Sequence, residues 1–204
     1  MTITVGRGTP AAIGAAPTPL VWRPRLAAGV VVAGCVVLEG RGLLVEATSR
    51  PAAALVAMFV LLGGVSLAWP IGAHPGGPPG RGLGRSAGVL ALGLVAFSVG
   101  RLVGGGHAPV PSTLGMIAAN TLAAVAEEAF FRRLCFAVLL PAGAVWAVVG
   151  SAVLFAAVHL TTYGAWVLPL DLAAGLIFAW QRQASGTWRV PAVTHVVVNL
   201  LVVL

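Results

Sequence analysis

Glu127, Glu128, Arg132 and Arg133 interrupt the apolar stretch AVAEEAFFRRLC (124–135), and His159, Asp171, His195 and Asn199 interrupt the apolar runs that follow. One ionisable side chain inside an apolar span costs roughly 2.5–3.5 kcal/mol on insertion scales. Several in one small chain are tolerable only if they meet around a polar cavity, so they are functional-site candidates. Their spacing favours a meeting. Glu128 and Arg132 are four apart, so on a helix they share a face and can pair. Glu127 lies about 100° round the helix from Glu128 and points elsewhere. One carboxylate is thereby neutralised, and the other is free to exchange a proton. His195 and Asn199 are also four apart and present two hydrogen-bonding groups one above the other. Phe155 and His159 repeat the spacing.

The elements that position these residues follow from composition. The chain of 204 residues is 59% hydrophobic and only 8% charged, with a mean hydropathy of +1.00. A soluble domain carries about 25% charged residues, so this chain could not cover a water-facing surface. The expected fold is all-α, a polytopic transmembrane helical bundle of about seven spans (six to eight), near 26–45, 52–71, 86–104, 112–139, 143–160, 164–182 and 190–204. Glu39 and Arg41 interrupt the first. Arg50-Pro51, the Gly/Pro-rich Gly72–Arg85 loop, Pro141 and QRQASGTWR (181–189) separate the others, and Ser112 is placed to cap the fourth. Residues 1–25 read as a flexible basic tail, since prolines make them a poor signal peptide. Residues 26–111 read as N-terminal transmembrane helices and 112–204 as the core that carries the polar residues.

The net charge is +7, and all twelve basic residues are arginine. Apart from Arg132 and Arg133, which lie within a span, they sit at the ends of apolar runs with no cluster, which argues against nucleic acid as a partner and for lipid headgroups. An N-terminus in the cytoplasm puts Arg7, Arg23, Arg25, Arg81, Arg85, Arg182 and Arg189 on that side, against Arg41, Arg50 and Arg101 opposite. The Gly/Ala/Val/Arg bias without lysine suggests a high-GC genome, and the expected location is a bacterial cytoplasmic membrane. Cys35 and Cys135 form no disulfide framework. Trp22, Trp69, Trp166, Trp180 and Trp188 fall near span ends, as an aromatic belt does. His74 and His107 lie in Gly/Pro loops and receive no role.

EEAFFR (127–132) resembles the EExxxR motif of the CAAX protease and bacteriocin-processing family. FAAVH (155–159) resembles its FxxxH motif, HVVVN (195–199) its HxxxN motif, and AGLIFAWQRQASGTW (174–188) its Gly-containing helix and following turn. The order is the family's, and the likeness covers about residues 112–204. Two positions depart from the pattern. Arg133 stands where family members usually have Gly, and is expected to reach the interface or the substrate. Asp171 has no counterpart, and is expected to pair with Arg133 or to extend the polar site.

The resemblance implies intramembrane hydrolysis of a peptide bond in a membrane-anchored or lipophilic protein or peptide, without a covalent enzyme intermediate. Glu127 is then the general base and His159 the residue that holds the water and passes a proton. His195 and Asn199 donate hydrogen bonds to the developing oxyanion, where one donor is worth roughly 2.7–4 kcal/mol. Glu128 with Arg132 braces the helix. No cofactor is favoured. Zinc is the alternative, and Glu127, His159 and His195 would hold it, but no HExxH motif supports it. Plainer readings stand beside these: a structural ion pair, an interfacial histidine, or polar contacts between helices. At the level of the whole chain, the rivals are a non-enzymatic immunity or scaffold protein of the same fold, and a small transporter with a carboxylate proton relay.

Overall fold

The computed structural model describes residues 23–71, 82–104 and 113–203. Most of the basic tail, most of the Gly/Pro loop, His74, His107 and Ser112 lie outside the described residues. Among the described residues all regular structure is helical. The first expected span is α1 (Pro24–Glu39) and α2 (Arg41–Glu46), broken at Gly40 between the two charges. Then come α3 (Pro51–Ala68) and α4 (Leu83–Val103). Proline in the first turn starts α1 and α3, where its missing N–H is harmless. The fourth segment opens with α5 (Leu114–Glu128). Its cap is Thr113, whose hydroxyl accepts from the Met116 N–H at 3.2 Å, one residue beyond the expected Ser112.

A regular helix was expected through Leu139, but α5 passes into a π-helical turn at Ala129–Cys135 before α6 (Phe136–Leu139). Such turns insert a residue into the helical ladder and are frequent at functional sites. Arg182 donates to the Arg132 carbonyl inside the turn at 3.0 Å. A 3₁₀ turn containing Pro141 ends the segment, and Gly143, at φ 117°, leads into α7 (Ala144–Ala157). The short α8 (Leu160–Tyr163) follows, then α9 (Leu168–Ser185) and α10 (Arg189–Val203). Gly186 closes α9 in the left-handed conformation, φ 76°, which lets its N–H bond the Arg182 carbonyl.

The core forms where α5 and its π turn meet α3, α7, α9 and α10. Phe130, Phe131, Leu134, Phe155 and Phe178 are its large buried side chains, joined by Leu38 and Leu62. Outward, the surface stays apolar: Leu61, Leu92 and Val95 are all exposed. That pattern suits a bilayer rather than water. Among the described residues three helices are long and apolar enough to cross a membrane: Pro51–Ala68, Leu83–Val103 and Ala144–Tyr163. Of the others, the first segment is split at Gly40 and the fourth is divided by its π turn, so neither forms one long apolar helix.

Small residues bring the helices close, as in bundles that lack a hydrophobic driving force between helices. At Gly175 on α9 an added methyl would lie 3.0 Å from both Cα and the carbonyl oxygen of Ala152 on α7. Gly175→Val should therefore push α7 and α9 apart and destabilise the protein by about 1–3 kcal/mol. Gly29→Ala, where nothing lies within 4 Å of the added methyl, should not. Thermal unfolding of both variants in detergent checks the contrast.

Candidate active site

Glu128 ends α5, is fully buried, and serves two partners. Its Oε2 is 3.3 Å from Nε of the equally buried Arg132, one helical turn on. This is a charge contact rather than an aligned hydrogen bond, since neither atom has a hydrogen-bond partner. Its Oε1 lies 3.0 Å from Nδ1 of His195 on α10. The pairing with Arg132 follows from four-residue spacing. The bond to His195 crosses between helices and has no signature in spacing.

Arg132 is the largest fully buried side chain. Its Nη2 donates to the Gly175 carbonyl at 3.1 Å. Its guanidinium sits among three rings, 4.5 Å from the centroid of Phe155, 5.3 Å from Phe178 and 5.6 Å from Phe131. Rings recover part of the lost hydration of a buried cation. The same rings orient the histidines. Phe178 stacks on His195 at 4.8 Å, and Phe155 lies 4.9 Å from His159. Phe178 was not singled out by sequence, although it stands in the helix 174–188.

His159 lies in the turn between α7 and α8, only 9% exposed. Its Nδ1 is 2.7 Å from the Phe155 carbonyl. A carbonyl can only accept, so Nδ1 carries the proton, and Nε2 of the neutral ring is a bare acceptor. The FxxxH spacing thus has a backbone purpose as well as an aromatic one. His195 has the same polarity: Nδ1–H donates to Glu128, and Nε2 is left for a ligand. It accepts in the neutral ring and donates when both nitrogens carry protons.

Glu127 is buried, 6% exposed. Among the described residues its carboxylate has no hydrogen bond or ion pair. Asp171, in the first turn of α9, has its Oδ2 3.7 Å from Nδ1 of His159. The charges of His159, Glu127, Arg41 and His195 all act on it, so these groups share one polar region. Asn199 lies one turn beyond His195 on α10 and is half-buried.

Arg133 does not pair with Asp171. Its guanidinium donates to the carbonyls of Ser66 and, at 3.1 Å, Trp69. These are free carbonyls at the C-terminal end of α3, where a cation is favoured. Asp171 instead extends the polar site beside His159.

Zinc held by Glu127, His159 and His195 fits the geometry poorly. Among the described residues no three His, Cys, Asp or Glu side chains stand close enough to hold one ion.

Removing one partner of a buried pair leaves an uncompensated charge and costs about 3–5 kcal/mol. Arg132→Gln should destabilise the protein by that amount. Arg132→Lys should not restore it, because an ammonium cannot reach Glu128, the Gly175 carbonyl and three ring faces together. Thermal unfolding followed by circular dichroism reads both.

Residues 109–201 match the family model described as type II CAAX prenyl endopeptidase Rce1-like. No curated protein and no solved structure matches the chain. The matched region includes all of the polar positions from Glu127 to Asn199 in their motif order. Over residues 109–201 the chain is thus similar to the Rce1-like CAAX prenyl endopeptidases.

Proposed function

We propose that the protein is an intramembrane endopeptidase whose seven helical segments cross a bacterial cytoplasmic membrane with the N-terminus inside. The observation that carries the reading is a division between adjacent carboxylates. Glu128 is engaged by Arg132 and His195, while Glu127, the buried residue just before it, has no hydrogen bond or ion pair of its own among the described residues. A carboxylate without a partner, in a region shielded from bulk water, is suited to take a proton from a bound water.

In this mechanism Glu127 deprotonates the water and the oxygen attacks the substrate carbonyl. His159 holds that water through Nε2, since its Nδ1–H is occupied by Phe155; it then takes the proton from Glu127 on Nε2 and gives it to the leaving amine. Asn199 and His195, one turn apart on α10, stabilise the oxyanion, His195 by donating from Nε2 with both ring nitrogens protonated beside the Glu128 carboxylate. The substrate class is a membrane-anchored or lipophilic protein or peptide. The family match supports an intramembrane protease, and the absence of three convergent ligands favours a glutamate-activated water over a metal-bound one.

Membranes from cells expressing wild-type protein or the Glu127→Gln variant should differ in peptide termini near a membrane span, with termini present only in wild type. Equal termini at equal expression of folded protein would point to a scaffold or immunity role. Once a substrate is known, Glu127→Gln should slow cleavage by about 10²–10⁴-fold and Asn199→Ala by about 10²–10³-fold. Exhaustive chelation should leave the rate unchanged. Loss on chelation that zinc restores would favour the metal mechanism.

A further inference from the structure

Arg41 is a buried charge that the mechanism does not use. It opens α2 at the break in the first segment and is only 7% exposed. Its Nη1 is buried without a hydrogen-bond partner. Among the described residues no carboxylate lies within ion-pair distance of it. Glu39, two residues away, leaves its own buried Oε2 without a partner as well. The contact that holds Arg41 is aromatic: its guanidinium lies 5.6 Å from the centroid of the Tyr163 ring. A buried cation without a counter-ion is costly, and departures of this kind are expected at functional sites.

Its position ties it to the site. Tyr163 also stacks on His159, with centroids 5.8 Å apart and planes 17° from parallel. One ring therefore touches both the candidate water-holding histidine and Arg41. Thr161 donates to the Glu39 carbonyl at 2.9 Å, which fastens α8 to the end of α1. Arg41 also acts electrostatically on Asp171 together with His159, Glu127 and His195. A cation supplied from outside residues 109–201 thus faces the polar region that the motif residues build.

We propose that Arg41 binds a carboxylate of the peptide substrate, on the His159 side of the site and with Tyr163 holding the guanidinium in place. This rests on the proteolytic reading, which supplies the peptide. A guanidinium takes a carboxylate through two parallel hydrogen bonds, a geometry that fixes direction as well as position. The bound carboxylate would fix which peptide bond reaches Glu127. A free C-terminus and an acidic side chain both offer this chemistry.

The test is a binding measurement on full-length Glu127→Gln protein in a neutral detergent, so that bound peptide is not cut. Three fluorophore-labelled apolar tetrapeptides serve as probes: a free C-terminal acid, its amide, and the amide carrying one glutamate. Fluorescence anisotropy should show a carboxylate-bearing peptide binding at least about tenfold more tightly than the plain amide. Tight binding of the free acid alone assigns the subsite to the C-terminus, and tight binding of the glutamyl amide assigns it to a side chain. Adding Arg41→Gln should remove the preference and leave the affinity for the plain amide unchanged, while Arg41→Lys should keep part of it. Equal affinities for all three, no measurable binding of any, or a preference that survives Arg41→Gln would overturn the proposal. The acid-against-amide comparison needs no change at Arg41, so a poorly folding variant does not blunt it. Binding is read without cleavage, so a carboxylate preference in a protein that generates no new termini would keep this subsite and sink the protease reading.

Discussion

The rest of the site depends on one buried carboxylate. Glu128 joins a cation on its own helix to an imidazole on another: Arg132 at 3.3 Å and His195 at 3.0 Å. An unpaired charge at this depth would be strongly unfavourable, so α10 must pack on α5 in the register that brings His195 to Glu128. The contact thereby orients His195, fixes which of its nitrogens is free, and frees Glu127 from any structural duty. Two adjacent carboxylates of the same chemistry are separated by what surrounds them.

Arg132 makes this arrangement affordable. Its guanidinium is boxed by Phe131, Phe155 and Phe178 and bonded to the Gly175 carbonyl. Gly175 also packs α9 against Ala152 of α7, with no room for a side chain. The helix contact and the charge contact therefore need the same small residue. The π turn carries Arg132 and Arg133 to different neighbours: Arg132 inward to Glu128, Arg133 to the end of α3. Supporting contacts of this kind locate reactive groups more firmly than the reactive groups can locate themselves.

Much of this was legible in the sequence where the governing interaction is local. Four-residue spacing gave the Glu128–Arg132 contact, and the order of the three motifs matched the family found over residues 109–201. Pro51 and Pro141 mark breaks between segments close to where they were expected. What was not legible depends on contacts between helices or on backbone groups. The Glu128–His195 bond requires the register of α10 on α5. Arg133 binds carbonyls, which every residue possesses and no composition reveals. The π turn adds a residue to the ladder without any compositional sign, so Ala129–Cys135 reads as ordinary helix. Arg41 looked like a span-end topology residue, because its burial arises only when α1, α2 and α8 come together.

The central claim is that Glu128 is committed to His195 and that both histidines keep Nε2 for water and substrate. Nitrogen-15 NMR of histidine-labelled protein, assigned through single His159 and His195 substitutions, tests it most directly. Both rings should carry a hydrogen-bonded proton on Nδ1, and Glu128→Gln should shift the His195 signal while leaving His159 in place. A neutral His195 protonated on Nε2, with Nδ1 bare and indifferent to Glu128→Gln, would contradict it.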